Sequence, residues 1–325
     1  MNIHVAALQK KPLPEQTDGG VSAFAVDVLD GLARAQKQVP PKYFYDAAGS
    51  DLFEQITVLP EYYPTRTELG ILRRRGADIA ALLPKRAALV EFGAGATTKV
   101  RLLLRDCDIA AYVPVDISKD FLQSQADKLR RDFPHLSVHP LAADFTQAFE
   151  LPDEVAGCPK VGFFPGSTLG NFEPQEASQF LRRAADSLGA GAMMILGVDL
   201  EKDEKILHDA YNDAAGVTAK FNLNLMTRMN RELGGNFDLS SFQHRAIYNR
   251  DQHRIEMHLI SRRPQMVRVC GHTVAFRAGE SIHTENSYKY SIKRLYELAR
   301  RSGWTPQESW TDAEQMFSVH ALRAA

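Results

Sequence analysis

The apolar positions of this chain follow two rhythms that meet near residue 200. Between Ala87 and Asp199, apolar runs at 87–92, 111–115, 136–141, 160–164 and 192–198 read as strands. Helical patterns such as Lys99 to Arg105 and Asp120 to Phe133 lie between them. Strands alternating with helices of this length predict a parallel sheet with helices on both faces. Beyond Asp199 the rhythm breaks. Asp203 to Asn230 has helical spacing, and 254–260 and 266–276 alternate like strands around a polar turn containing Pro264. A third short strand after Ala278-Gly279-Glu280 would complete an antiparallel sheet, and helix Ile292 to Ser302 and strand Met316 to Leu322 would return to the main one.

The first segment is different again. Residues 1–20 read as an extended arm, and Val21 to Ala35 as a helix with Phe24, Val28, Leu29 and Leu32 on one face. Pro40-Pro41 stops it. A helix from Ser50 to Thr57 takes Ser50 as its cap, and the proline-bounded loop Leu59 to Glu68 feeds another capped by Thr67. The expected architecture is α/β: a Rossmann-like doubly wound domain (67–199 plus 289–325) and a second α+β, substrate-binding lobe (1–66 plus 200–288).

Composition narrows the function mainly by exclusion. A formal charge of −1 provides no global attraction for nucleic acid or an anionic membrane. No apolar run approaches a membrane span and the first twenty residues lack a secretory core, so a cytoplasmic location is expected. Cys107, Cys158 and Cys270 are too widely spaced for a disulfide framework or a zinc site, and the histidines show no metal-ligand spacing.

The chemistry is concentrated at strand ends. Leu89-Val90-Glu91-Phe92-Gly93-Ala94-Gly95-Ala96-Thr97-Thr98-Lys99 is a strand, a glycine turn and a helix start, which brings backbone donors and positive potential close to a ligand. Asp116 ends the next strand, where a carboxylate can accept from ribose hydroxyls. A dinucleotide fingerprint would place its third glycine where Thr98 stands, so a nucleoside cofactor without pyrophosphate, S-adenosylmethionine, fits better than NAD. An ordinary tight βα turn would share the motif. Asp144-Phe145 would hold an adenine, or serve as a turn acid and a core ring. Phe164-Pro165-Gly166-Ser167-Thr168-Leu169-Gly170-Asn171 follows a central strand. Asn171 both donates and accepts, which suits an amino-acid substrate, although the loop also precedes Pro174 and a helix as a cap would. Tyr45, Tyr62, Tyr63 and Tyr211 would pack, or form an aromatic wall suited to a sulfonium or a methylated ammonium.

Taken together these segments resemble the S-adenosylmethionine-dependent histidine Nα-methyltransferases, which make hercynine on the route to ergothioneine. The resemblance rests on Pro41-Lys42-Tyr43-Phe44-Tyr45-Asp46, Leu59 to Arg66, the glycine turn with Lys99, Val115-Asp116-Ile117-Ser118, Ala143-Asp144-Phe145, Phe164 to Asn171 and Thr284-Glu285-Asn286-Ser287. It runs from about residue 21 to the C-terminus and implies a class I methyltransferase fold. It further implies that Gly93, Lys99, Asp116, Asp144 and Phe145 bind the cofactor. Tyr45 and Asn171 would be catalytic. Asn171, Tyr62 and Tyr211, with Thr168 close by, would clasp the substrate, and Glu285 and Ser287 would read an imidazole, with Met257 a further contact. The implied substrate is free L-histidine, handled by a monomer without metal, nucleic acid or membrane. The alternatives are a same-fold N-methyltransferase for another amino acid or an indole amine, an NAD-dependent oxidoreductase, and a non-catalytic binding protein.

Overall fold

The computed structural model describes residues 22–325; the arm expected over 1–20, and Val21, lie outside the described residues. Helix α1 (Ala23–Ala33) starts at Ser22, whose hydroxyl accepts from the Ala25 amide at 3.2 Å. A short strand β1 (Lys37–Gln38), a 3-10 turn (Pro41–Phe44), α2 (Ala47–Thr57) and α3 (Tyr63–Leu82) follow. The regular region runs β2 (Ala87–Phe92), α4 (Val100–Asp106), β3 (Ile109–Asp116), α5 (Lys119–Asp132), β4 (Ser137–Val138), β5 (Leu141–Ala142), β6 (Lys160–Phe164), α6 (Pro174–Leu188) and β7 (Met193–Asp199). Then come α7 (Glu204–Tyr211), α8 (Val217–Glu232) and strands β8 (Phe242–Asn249), β9 (Arg254–Ser261), β10 (Gln265–Val269), β11 (His272–Phe276) and β12 (Ser281–Tyr288). The chain closes with α9 (Ile292–Arg301), β13 (Trp304–Thr311) and β14 (Phe317–Ala324).

The large sheet has the order β13-β14-β7-β6-β2-β3-β4, with β5 also paired to β3. Pairing is parallel from β7 to β4, and β14 joins β7 antiparallel. The chain leaves β2 toward β3 and returns on its other side as β6, so the order reverses between β2 and β6. The crevice at the carboxyl ends of those strands is where open α/β sheets bind ligands. Strand alternation divides β2 between two apolar layers: Ala88, Val90 and Phe92 face one, Ala87 and Leu89 the other. Trp304, fully buried, donates its indole N–H to the Leu181 carbonyl at 2.7 Å and so pins β13 to α6.

A second sheet, β1-β12-β9-β8, packs on its own core. Val28 and Leu32 from α1, Phe221 and Leu225 from α8, Met257 from β9 and Ile282 from β12 share that cluster. It is antiparallel except that β1 runs parallel to β12.

Several local expectations fail for identifiable reasons. The helix expected over Asp203 to Asn230 is two helices. Gly216 is left-handed (φ +70°), and the Asp213 carboxylate takes the Val217 and Thr218 amides at 2.8 Å each, which starts α8 afresh. The strand expected over 266–276 is a hairpin that turns where Cys270 and Gly271 both have positive φ. The run at 136–141 contributes only two short pairings on the sheet edge. Asp46, not Ser50, caps α2, accepting from the Gly49 amide at 2.8 Å. Helix α3 begins at Tyr63 ahead of Pro64, and Thr67 lies inside it, donating to the Tyr63 carbonyl. Strands β8 and β13 escaped prediction because polar residues interrupt their apolar positions.

Candidate active site

Gly93 follows β2 with φ +70°, and its amide and that of Ala94 both donate to the Val115 carbonyl, at 2.9 and 3.0 Å. A side chain at Gly93 would meet the Phe145 ring at 3.3 Å, so the turn and that ring lie edge to edge. Phe145 is half-buried, with its centroid 5.8 Å from Phe164 and 5.9 Å from Phe180. Its neighbour Asp144 accepts from the Thr146 amide and hydroxyl at 2.9 and 2.5 Å, which fixes the carboxylate. Asp116, at the end of β3, accepts from the Ser118 amide at 2.8 Å. Burial raises its carboxyl above the ordinary value, and the Ser118 bonds only partly offset that.

Lys99 is held by a residue that sequence reading missed. The Glu68 carboxylate, 1% exposed, lies 2.6 Å from the Lys99 ammonium, and both its oxygens accept from the Gly166 amide at 3.0 Å. One buried acid on α3 therefore joins the glycine-turn lysine to the loop after β6. Gly197 makes room for it, since a Cβ there would come within 2.1 Å of Glu68 Oε1. A lone glutamate on a helix rich in charge carries no spacing signal.

The loop after β6 is compact. Ser167 is left-handed (φ 59°), and its hydroxyl accepts from the Asp199 amide at 2.9 Å. Thr168 donates to the Pro165 carbonyl at 3.0 Å, and half-buried Asn171 closes a 3-10 turn. Gly170 presses on β12, since a Cβ there would come 2.7 Å from the Tyr288 carbonyl oxygen. Glu173, exposed and also missed, receives the Tyr288 hydroxyl at 2.6 Å, the Asn286 amide at 2.9 Å and Arg254 at 2.8 Å. These contacts seat the second sheet against the cofactor side.

Strand β12 brings the remaining polar residues to its inner face through a bulge. His283 pairs with His258, but the next partner of Met257 is Glu285, leaving Thr284 as an extra residue. Thr284 is buried and donates toward Asn222 and the Met257 carbonyl, at 2.8 and 3.0 Å. The shift sends Glu285 and Ser287 to the face shared with Met257 and Ile255, while Asn286 turns outward to Glu173. Glu285 is enclosed by protein yet keeps some accessible surface, as a residue lining a pocket does. Burial pushes its carboxyl up to about 7, with Lys289 opposing.

The tyrosines converge on the same place. Tyr62 meets Tyr211 edge-on at 6.3 Å, and Tyr45 packs at 5.7 Å from both Phe53 and Phe221. Burial raises the Tyr45 hydroxyl well above its ordinary value, and the charge of Glu285, the neighbouring Tyr62 and Tyr211, and Asp116 add to it. Tyr45 thus feels the carboxylates of both halves of the site. Tyr62 and Tyr211 are raised likewise, by burial first, so all three are neutral phenols at ordinary pH.

Below them lies a buried ionic group that was not anticipated from the sequence. Asp199 is contacted by Lys289 at 2.8 Å, Lys202 at 2.6 Å and the Tyr63 hydroxyl at 2.8 Å. Burial alone would raise its carboxyl; the two lysines outweigh that and hold it below its ordinary value.

One histidine cluster stands apart. Glu256, His258 and His283 bring ligand atoms within 4.8 Å of one another on the outer face of the second sheet, although no spacing in the sequence suggests it. Arg254 binds Glu256 at 2.8 Å and Arg245 is the cross-strand partner of His258, so two guanidinium groups oppose a cation there.

The strand order and the glycine turn at the switch point define a Rossmann-like, class I methyltransferase domain carrying a second α+β layer. Within that class, residues 24–324 match the family described as histidine-specific methyltransferase, SAM-dependent, and the chain belongs to this family. It is 42% identical over 312 residues to a histidine N-alpha-methyltransferase of Mycolicibacterium smegmatis, covering 93% of this chain and 95% of that one. A protein of the same description from Mycobacterium tuberculosis is 39% identical over 308 residues, with the same coverage of each chain. Ergothioneine biosynthesis protein 1 of Neurospora crassa is 29% identical over 296 residues, covering 88% of this chain and 33% of that one. Membership of a methyltransferase family overturns the NAD-dependent alternative. Among the described residues, no helix is long and apolar enough to cross a membrane.

Proposed function

We propose that this protein transfers methyl groups from S-adenosylmethionine to the α-amino group of L-histidine, up to trimethylhistidine, as a step of ergothioneine biosynthesis. The observation that carries the proposal is the position of Glu285. The β12 bulge turns this carboxylate into a tyrosine-lined site whose Tyr45 also senses Asp116, and the chain belongs to a histidine-specific family.

The residues fit the methyl donor by the chemistry of their donor sets. Asp116 is a partly accessible carboxylate for ribose hydroxyls, Asp144 and Phe145 offer an acceptor and a ring for adenine, and Lys99 with the Gly93 turn suits the amino-acid end. When bound, S-adenosylmethionine supplies an electrophilic methyl on a sulfonium.

The chain's own work is to present a neutral amine. Asn171 and Thr168 in the loop after β6, with Tyr62, supply donors and acceptors for the α-amino and carboxylate groups, and Tyr211, whose proton goes to Ser287, adds an acceptor. Because the tyrosines stay protonated, none acts as a phenolate base. The amine loses its proton because the aromatic, water-poor surroundings disfavour the ammonium, and the remaining barrier is lowered by proximity and orientation. Glu285 and Ser287 contact the imidazole, and buried Met257 flanks Glu285 across the strand pair.

The test is the position of methylation. Incubation with S-adenosylmethionine and L-histidine, followed by NMR of the product, should give methyl groups on the α-nitrogen only. Ring methylation, or no methylation, contradicts the proposal.

A further inference from the structure

Lys289 is 0% exposed and stands one residue beyond β12. Its ammonium reaches Ser287 Oγ at 2.7 Å, the Tyr211 hydroxyl at 3.1 Å and Asp199 Oδ2 at 2.8 Å. An ammonium has three N–H donors and no acceptor, so these contacts account for all of them. Tyr211 and Ser287 are themselves bonded, the Tyr211 hydroxyl donating to Ser287 Oγ at 2.7 Å. Lys289 donates to both oxygens, so the two hydroxyls hold two protons between them and their mutual bond uses one. The pair keeps a single proton for the site, and with Tyr211 as the donor that proton is the one on Ser287.

The same ammonium acts on Glu285. Burial is the larger influence on that carboxyl, and Lys289 is the charge that favours its ionised, acceptor form. Two residues apart on one face of β12, Ser287 offers a donor and Glu285 an acceptor. Stability alone does not explain such an arrangement, because a buried ion pair is often no better than well-packed apolar side chains.

We propose that Lys289, held by Asp199, is a positioning residue that fixes the hydrogen-bond polarity of the ring subsite. The subsite then takes an uncharged side-chain ring carrying one acceptor nitrogen and one N–H. This inference rests on the histidine reading above. It explains in bond terms why indole, with an N–H only, and phenyl or thienyl rings, with neither group, would leave Ser287 unpaired.

The test has two arms. In the wild-type protein with S-adenosylhomocysteine, 15N NMR of bound ring-labelled L-histidine should show one pyridine-type and one pyrrole-type nitrogen. A bound imidazolium, with two pyrrole-type nitrogens, overturns this inference while leaving the histidine reading intact. Failure of histidine to bind at all overturns that reading, and this inference with it.

The second arm compares L-histidine with L-β-(2-thienyl)alanine in K289M, S287A and the double variant. K289M should lower histidine affinity about tenfold to a hundredfold, the range for a lost hydrogen bond to a charged or buried partner, and leave thienylalanine and S-adenosylhomocysteine affinities unchanged. In the S287A background, K289M should have little further effect on that ratio. Equal losses for both amino acids, or a full K289M effect without Ser287, would mean a merely structural lysine. Should K289M not fold, the wild-type NMR arm still decides the polarity.

Discussion

Glu285 stands opposite Met257 across β12 and β9 only because Thr284 is accommodated as an extra residue between two registers. In an unbroken strand Glu285 would share a face with His283 and point away from the tyrosines. The bulge is held by the Thr284 hydroxyl, which bonds Asn222 on α8 and the Met257 carbonyl. Thr284→Val keeps the shape and removes the hydroxyl, leaving buried Asn222 Oδ1 without this donor. A loss of roughly 1–3 kcal/mol in denaturant unfolding is expected, with a raised KM for histidine and unchanged cofactor affinity. Unaltered stability and KM together would show that the bulge is maintained by something else.

Glu285 also predicts how stability depends on pH. Its carboxyl titrates at about 7 in the folded protein against an ordinary 4.5. Between those values the folded state holds a proton that the unfolded state has lost. The contribution is therefore complete below 4.5 and is lost as pH rises through 7. Glu285→Gln has no such slope, so its melting temperature should exceed that of wild type at pH 8 by roughly 3 °C or more and converge with it near pH 5. Parallel melting curves across that range would show that Glu285 is not buried as a costly charge.

Glu68 links Lys99 to the Gly166 amide, so its charge matters to both fold and cofactor site. Glu68→Gln leaves the Lys99 ammonium without its partner in a largely buried position. About 3 kcal/mol of stability should be lost, as for other broken buried pairs, and S-adenosylhomocysteine should bind roughly tenfold more weakly by calorimetry. Wild-type binding in the variant would show that Lys99 needs no such support.

Asp116 is expected to act on the cofactor alone. Asp116→Asn should weaken S-adenosylhomocysteine binding about tenfold to a hundredfold, the cost of losing charge-assisted bonds. An equal loss of histidine affinity measured without cofactor would place Asp116 elsewhere in the site.

The α/β framework was legible because β2, β6 and β7 are apolar runs bounded by glycine, proline or aspartate, and burial on both faces imposes that pattern. Sites tied to strand ends were legible for the same reason: Gly93 follows β2, Asp116 closes β3, and Asn171 lies in the loop after β6. Glu285 stood out in the sequence only as an acid of a polar segment that could pair with a basic side chain or lie solvated on the surface. Its ring-reading role with Ser287 came from resemblance, since a bulge leaves no periodic trace in Thr284-Glu285-Asn286-Ser287. Glu68, Asp199 and Lys289 were missed because each looks like an ordinary surface charge until distant strands and helices bury it. The break at Gly216 was hidden because the segments on either side share helical spacing.

The central claim is that free histidine is the methyl acceptor, and competition among amino acids tests it most directly. The protein would be incubated with S-adenosylmethionine and an equimolar mixture of the twenty amino acids, and the products read by mass spectrometry. Histidine alone gaining up to three methyl groups is the predicted result. Methylation of another amino acid in preference to histidine would contradict it.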